Sequence, residues 1–454
     1  MDPTQKIDPN RTMLTGAVPN FNDPLKTQMI SAGGMDPNKT SAMAIPSFGG
    51  KALAVEVIPS REATMANGPA REQFLISISA AGSGALTLGG GPRTPLNLCL
   101  VIDRSGSMEG QPLEYVKQAC NHVVDLMSPD DVLSIVTFEE VVDLLMPPQR
   151  VTNKQMIKDG IQRLMPGNTT NLYEAINMAL AQVMSLQESG RATRVVLLTD
   201  GDPTAGIKDF HALTQLASDV KSRGVSITFL GFGPDYNEEL IASMAKKGGG
   251  NYYYIPRPDL IPEVFRTELE KLMTTSARNL NLEIKPARWV TLRTEQTTQL
   301  TDLERGSTIE QVVDLEFSNH PLGHYRVAVG KLTYDDMVTG KTETVDMDLI
   351  AEFTSDQVRY SVEPNPRVRQ AAQVVMASKA VEKTMMGMKT GQLTAMGAIS
   401  ELQKTQALLL GEGRTAEAQE VTMALRALQS GDAAGAEKTL MGAVFNLDQG
   451  KRTT

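Results

Sequence analysis

The stretch Leu96-Asn97-Leu98-Cys99-Leu100-Val101-Ile102-Asp103-Arg104-Ser105-Gly106-Ser107 decides the fold. Its apolar run through Ile102 is the pattern of a strand buried on both faces of a parallel sheet. An aspartate and two serines, spaced by two, follow directly. In an open α/β sheet, ligands bind just beyond the carboxyl ends of the strands. Alternate residues of an extended-to-turn segment there aim one carboxylate and two hydroxyls at a common point. All three are hard oxygen donors, the type that Mg²⁺ takes in an octahedral shell completed by water. Taken alone the triplet is weak, because serine also caps helices and fills turns.

Outward from this stretch, residues 96–275 alternate strand and helix patterns. Strands are predicted at Val132–Phe138, Val195–Leu198, Val225–Leu230 and Tyr252–Ile255. Helices are predicted at Pro112–Met127, Asn171–Leu186, Phe210–Arg223, Glu238–Lys246 and Leu260–Met273. This βαβ alternation predicts an α/β, doubly wound parallel sheet. Two further segments belong at the same sheet edge as Asp103. Gly167-Asn168-Thr169-Thr170-Asn171-Leu172 precedes a helix and offers a hydroxyl; Leu197-Leu198-Thr199-Asp200-Gly201 ends a strand with a carboxylate at its tip.

In order and spacing these segments resemble the von Willebrand factor type A domain and its metal-ion-dependent adhesion site. The resemblance covers roughly residues 95–275. It includes Asp131–Phe138, similar to the family's D-x-V-S-x-V-x-F strand, and the Gly-Gly-Asn-Tyr-Tyr-Tyr segment from Gly249 to Tyr254. It implies that Ser105, Ser107 and Thr170 bind the metal directly, while Asp103 and Asp200 act mostly through waters. Thr170 rather than Thr169 takes the threonine role, because Thr170-Asn171-Leu172 matches the family's Thr-Asn/Asp-Leu. Thr169 stands where the family has Gly. All five donors are present, so the resemblance implies a complete site, with Mg²⁺ as its ion and Mn²⁺ or Ca²⁺ as alternatives. Neutral hydroxyls as direct ligands leave the ion with net positive charge and an open position for a partner's Asp or Glu carboxylate. The segments on either side look most like those of bacterial multi-domain members.

Those flanking segments have their own periods. Residues 51–94 hold β-type runs (Val55, Val57; Phe74, Ile76, Ile78) and a Gly-rich linker from Gly82 to Pro95. Residues 276–356 return to period two, with runs such as Leu280, Leu282, Ile284 and Val313, Leu315, Phe317. They predict antiparallel strands of a β-sandwich, with the α/β unit at 95–275 inserted in it or flanked by it. Residues 364–448 predict a C-terminal bundle of four helices, in which Ala436, Leu440, Ala443 and Leu447 make an amphipathic stripe.

Residues 1–50 read as a disordered tail with three repeats of Asp-Pro-x-Lys/Arg-Thr: Asp8 to Thr12, Asp23 to Thr27 and Asp36 to Thr40. Asp-Pro starts turns and cannot continue a helix. The threonines Thr12, Thr27 and Thr40 are candidate phosphorylation sites, to be read by a forkhead-associated domain.

Composition narrows the function. Lys plus Arg number 44 and Asp plus Glu 53, a formal charge of −9, which argues against a protein built around non-specific nucleic-acid binding. Two cysteines, Cys99 and Cys120, exclude a disulfide framework and read as small buried hydrophobes. No apolar run approaches the ~18 residues of a membrane span, and the N-terminal residues lack a signal-peptide core. A cytoplasmic protein is therefore expected. The second acid of a phosphatase is replaced by Ser105, no G-x-x-x-x-G-K-[ST] exists, and none of His122, His211, His320 and His324 falls beside a strand-end serine. The expected function is a non-catalytic, metal-dependent protein-interaction module. The alternatives are a phosphothreonine-regulated signalling scaffold, or an adaptor for an AAA+ ATPase of the MoxR or chelatase type.

Overall fold

The computed structural model describes residues 51–81 and 93–453, apart from 187, 189, 234 and 295–298. Thr12, Thr27, Thr40 and their repeats lie outside the described residues, as does most of the Gly-rich linker. The chain enters through β1 (Leu53–Pro59), β2 (Ala63–Met65) and β3 (Ala70–Ala80). The deciding stretch then forms β4 (Leu96–Asp103), every residue of it buried. There follow α1 (Gln111–Leu126), β5 (Val132–Phe138), β6 (Val142–Arg150), α2 (Lys154–Gln162) and α3 (Leu172–Ser185). The unit is completed by β7 (Ala192–Thr199), α4 (Phe210–Ser222), β8 (Ser226–Phe232), α5 (Glu238–Gly248), β9 (Gly249–Ile255) and α6 (Ile261–Met273).

The six strands lie in the order β6-β5-β4-β7-β8-β9. Alternation along β4 divides its side chains between two cores. Leu96, Leu98, Leu100 and Ile102 pack with residues of α1 and α6, among them Cys120. Cys99 and Val101 pack with α3, α4 and α5. The sheet is mixed rather than wholly parallel, because β6 pairs antiparallel to β5 at the edge. Pro147 and Pro148 fall inside β6 and hide it from a pattern search; only an edge strand, with one side unpaired, tolerates them. The short helix α2 is also absent from the sequence pattern, since it buries only Ile157 and Ile161.

Beyond the α/β unit come β10 (Thr275–Pro286), β11 (Val290–Leu292), β12 (Leu303–Glu304), β13 (Ser307–Phe317), β14 (Gly323–Asp336) and β15 (Lys341–Thr354). They build two sheets with the entering strands. One has the order β1-β3-β13-β11, and the other β12-β10-β14-β15-β2. β3 and β13 run antiparallel from Ala70 opposite Phe317 to Ser79 opposite Thr308. Strands before and after the α/β unit therefore share a sheet. Phe74, Ile76 and Ile78 of β3 enter the same core as Leu282, Leu332, Leu349 and Phe353 of the second sheet.

The chain then turns helical: α7 (Gln357–Tyr360), α8 (Pro366–Lys389), α9 (Ala395–Gly411), α10 (Thr415–Gln429) and α11 (Ala433–Asp448). Asn365, Thr394 and Asp432 cap α8, α9 and α11 through their side chains, and Pro366 opens α8. The stripe Ala436, Leu440 and Leu447 lies in the bundle core with Val381, Leu402 and Val421. A last strand, β16 (Lys451–Thr453), carries the chain back to pair with β13. Nothing in the pattern after Leu447 announced it. Gly450 makes the turn at φ +59, and a Cβ there would stand 2.2 Å from the Glu310 carbonyl oxygen.

Polar contacts tie these units together. Arg194 of β7 donates to Asp302 at 2.7 Å and to Thr228 at 3.2 Å, with Lys221 Nζ 3.7 Å from Asp302. Burial pushes the Asp302 and Glu268 carboxyls up, but the cations Lys221 and Arg194 beside Asp302, and Arg194 and Lys271 beside Glu268, outweigh it and leave both below their ordinary values. On α11, Lys438 donates to the Tyr236 carbonyl at 2.6 Å and to Glu238 at 2.9 Å, and Phe445 packs edge-on against Tyr252 at 6.0 Å.

Candidate metal centre

β4 and β7 are neighbours in the sheet, so their carboxyl ends deliver Asp103 and Asp200 side by side. Asp103 is fully buried and both its oxygens are engaged. Oδ1 accepts from the Ser105 backbone N–H at 2.8 Å, and Oδ2 accepts from the Thr199 hydroxyl at 2.6 Å. The chain turns at Ser105, and the hydroxyls of Ser105 and Ser107 come within 3.2 Å of each other. Both donate to Asp200 Oδ1, from 3.3 Å and 2.8 Å. The alternation in sequence thus becomes convergence in space.

The threonine segment reaches the same place across a lattice of hydrogen bonds. Gly106 N–H donates to the Asn168 carbonyl and Gly167 N–H to the Arg104 carbonyl, which ties the segment to the serine turn. Glu139, just past β5, accepts from the Asn168 N–H at 2.7 Å, and its carbonyl takes the Asn171 N–H. Thr204 closes the other side by accepting from the Thr170 N–H at 2.9 Å. Thr170 is buried, and a Cβ built on Gly201 would lie 3.9 Å from its Oγ1, which sets that hydroxyl beside the Asp200 segment. The Thr169 hydroxyl is buried with no hydrogen-bond partner. Asn171 begins α3 by capping it, accepting from the Glu174 N–H.

All five predicted residues therefore meet at one sheet edge. Three supporting residues escaped the sequence reading: Thr199, Glu139 and Thr204. Thr199 had a signal, since it sits immediately before Asp200 at a strand end. Glu139 and Thr204 had none, because their importance comes only from the approach of separate loops.

The electrostatics fit a cation. Burial pushes the Asp103 carboxyl up to about 7, with the negative charge of Asp200 adding to the rise. Burial also raises Asp200, and there the added charge is that of Asp235. Among the described residues neither carboxylate is in an ion pair, and the groups acting most strongly on them are hydroxyls, backbone N–H groups and other carboxylates. Arg104 stands nearby but is taken by Asp143 at 2.7 Å and Glu139 at 3.2 Å. Two poorly solvated carboxylates beside three hydroxyls form a hard-oxygen donor set short of positive charge. The residues present fit a divalent ion of the Mg²⁺ type.

His320 and His324 lie outside the α/β unit. His320 stacks on Trp289 with ring centres 3.9 Å apart, and His324 pairs with Glu352 at 3.3 Å. The hydroxyls of Ser105 and Ser107 hydrogen-bond to each other and to Asp200, and neither meets an imidazole or amine base among the described residues.

Comparison with known proteins agrees with this architecture. Residues 97–267 match the family model of the von Willebrand factor type A domain, and this part of the chain is such a domain. The chain is 28% identical over 310 residues to the protein sll0103 of Synechocystis sp., spanning 63% of this chain and 72% of that one. It is 29% identical over 199 residues to YfbK of Escherichia coli, and 29% over 167 residues to human inter-alpha-trypsin inhibitor heavy chain H4. Those two matches span only 34% and 18% of the relatives' lengths. Among solved structures, a von Willebrand factor type A protein from Catenulispora acidiphila superposes with a TM-score of 0.68 at 15% identity, covering 84% of this chain and 91% of that one. The ArnB paralog VWA2 from Sulfolobus acidocaldarius gives 0.62 at 17%, covering 87% and 98%. These likenesses extend beyond residues 97–267 and concern the fold. No helix among the described residues is long and apolar enough to cross a membrane.

Proposed function

We propose that this chain is a non-catalytic, metal-dependent protein-interaction protein whose type A domain grips a partner's acidic residue. The observation that carries the reading is the convergence of Ser105 and Ser107 on Asp200, beside the buried Asp103, with neither carboxylate in an ion pair among the described residues. Ser105, Ser107 and Thr170 would hold Mg²⁺ directly, and Asp103 and Asp200 through water. Bound there, the ion supplies a positive charge that a carboxylate from another protein can complete.

The chain's own residues do the rest. Thr199 and the Ser105 N–H hold Asp103 in one orientation, so the acid stays aimed although it is buried. Glu139 and Thr204 fix the backbone on both sides of Thr170. Neutral hydroxyls in the direct positions leave charge on the ion for the partner. The match to the type A domain family supports binding rather than turnover, as does the lack of an imidazole or amine partner for either serine hydroxyl among the described residues.

The test is a pull-down from native lysate with the wild-type chain and the Asp103→Ala variant, each with Mg²⁺ and with chelator. A partner held only by wild type with Mg²⁺ is the expected result. Equal capture in all four samples would move the interaction to another surface.

A further inference from the structure

The loops around the site have a chemistry of their own. Glu109, Glu140, Asp202 and Asp235 are all exposed there, and none is in an ion pair among the described residues. Of the basic residues on these loops, Arg104 is held by Glu139 and Asp143, while Arg163 and Lys208 are exposed; Lys389 and Lys438, which share a pocket with Asp202, are paired with Glu238 and Glu239 or with Glu238. Among the acids stand large exposed apolar side chains: Val141 at 57% exposure, Met165 at 70%, Ile207 at 44% and Phe210 at 43%. An acidic, partly greasy rim around a cation repels most acidic segments. It selects an acid that is followed closely by a base and then by apolar residues.

The first fifty residues carry that pattern three times. Asp8, Asp23 and Asp36 are each followed by proline, and three residues on by Arg11, Lys26 and Lys39. Met13, Met29 and Met43 come shortly after. We propose that this segment is the ligand of the site in its own chain: the carboxylate of Asp8, Asp23 or Asp36 seats at the centre formed by Ser105, Ser107 and Thr170. The Lys or Arg then meets the acidic rim, and the following methionine meets the exposed apolar side chains. The inference rests on the metal reading above and adds the partner. External acidic partners compete with a built-in one.

The chain is long enough. Ala52 donates to Asp336, which pairs with Ala277 just after α6, and Thr94 just before β4 donates to Met273 at the end of α6. Lys51 therefore leaves the structure near the amino ends of the parallel strands, opposite the site. The eight residues of β4 span about 26 Å. Fully extended, the chain from Lys51 back to Asp36 reaches about 50 Å, to Asp23 about 95 Å and to Asp8 about 150 Å.

Two measurements separate this inference from the reading beneath it. The first titrates the full chain and Asp103→Ala with Mn²⁺ alone, read by electron paramagnetic resonance. No site-specific binding would overturn both. The second compares the wild-type chain with the Asp8→Asn/Asp23→Asn/Asp36→Asn variant, using a fluorescent peptide of residues 34–46 and anisotropy. A tethered ligand acts at an effective concentration on the order of 1 mM, so the variant is expected to bind the peptide about tenfold more tightly than wild type. Chelator should abolish binding to both, and the peptide carrying Asp36→Asn should not bind. Mn²⁺ bound without any peptide binding, or equal affinity of the two chains, would overturn this inference and leave the metal reading standing. A wild-type chain whose mass doubles in Mg²⁺, while the triple variant stays single, would overturn the same-chain contact and assign it to a second copy.

Discussion

Thr199 shows how much of the site depends on one residue whose role is indirect. Its hydroxyl satisfies Asp103 Oδ2, an atom with no access to water. Thr199→Val keeps the shape and removes the donor. Stability should fall by about 1–3 kcal/mol in urea titration, the cost of a buried acceptor left unmet. Mn²⁺ affinity should drop roughly 10–100-fold, as for other residues that orient metal ligands. Asp131 is the structural counterpart at the other end of the sheet. It too is fully buried, and it collects the Leu96 N–H, the Ser128 N–H and both terminal nitrogens of Arg93. The acid at the head of the β5 pattern is thus a clamp at the start of β4. Asp131→Ala strands Arg93 and two backbone donors, and should cost about 3–5 kcal/mol by chemical denaturation, with the metal donors' sequence untouched.

At the scale of elements, legibility followed burial and period. β4 and β5 are buried at every residue, so their apolar runs marked them to within one residue of their ends. That the five candidates lie at one sheet edge was legible because the strands were plain and strand ends carry ligands in this fold class, whereas their selection as a set came from the resemblance to the type A domain. β6 was not legible, since its pattern is interrupted by two prolines and half of it faces solvent. β16 was not legible either: three residues have no period, and only their pairing with Ser307–Ile309 makes them a strand. That strand depends on Gly450. Gly450→Ala would place a side chain in the left-handed region and against the Glu310 carbonyl. The expected result is a loss of about 1–3 kcal/mol and faster amide exchange at Lys451 and Arg452, with α8–α11 still helical by circular dichroism.

At the scale of the whole molecule, the buried lock of Arg194, Lys221, Asp302 and Glu268 joins the α/β unit to the sheets. Both carboxyls have folded-state values below the ordinary one. Their contribution is therefore complete above the unfolded value of about 4 and is lost as pH falls through the lower folded value. Urea titrations followed by the fluorescence of Trp289 should show stability falling below about pH 4; Asp302→Asn should be less stable at pH 7 and show a flatter acid limb. The insertion of one unit between paired strands also sets a clock. Ser79 and Thr308 share a hydrogen bond across 229 residues of sequence. At a synthesis rate of about 5–20 residues per second, β3 waits on the order of 10–50 s for β13 to be made. A chain that long is costly to close while loose, yet the folded α/β unit holds Thr94 against Met273 and Thr275 and so brings its own two ends together. The middle of the chain must finish first, and a mutation that slows it will show up as an unprotected edge on β3 in the newborn protein rather than as a fault in the type A domain itself.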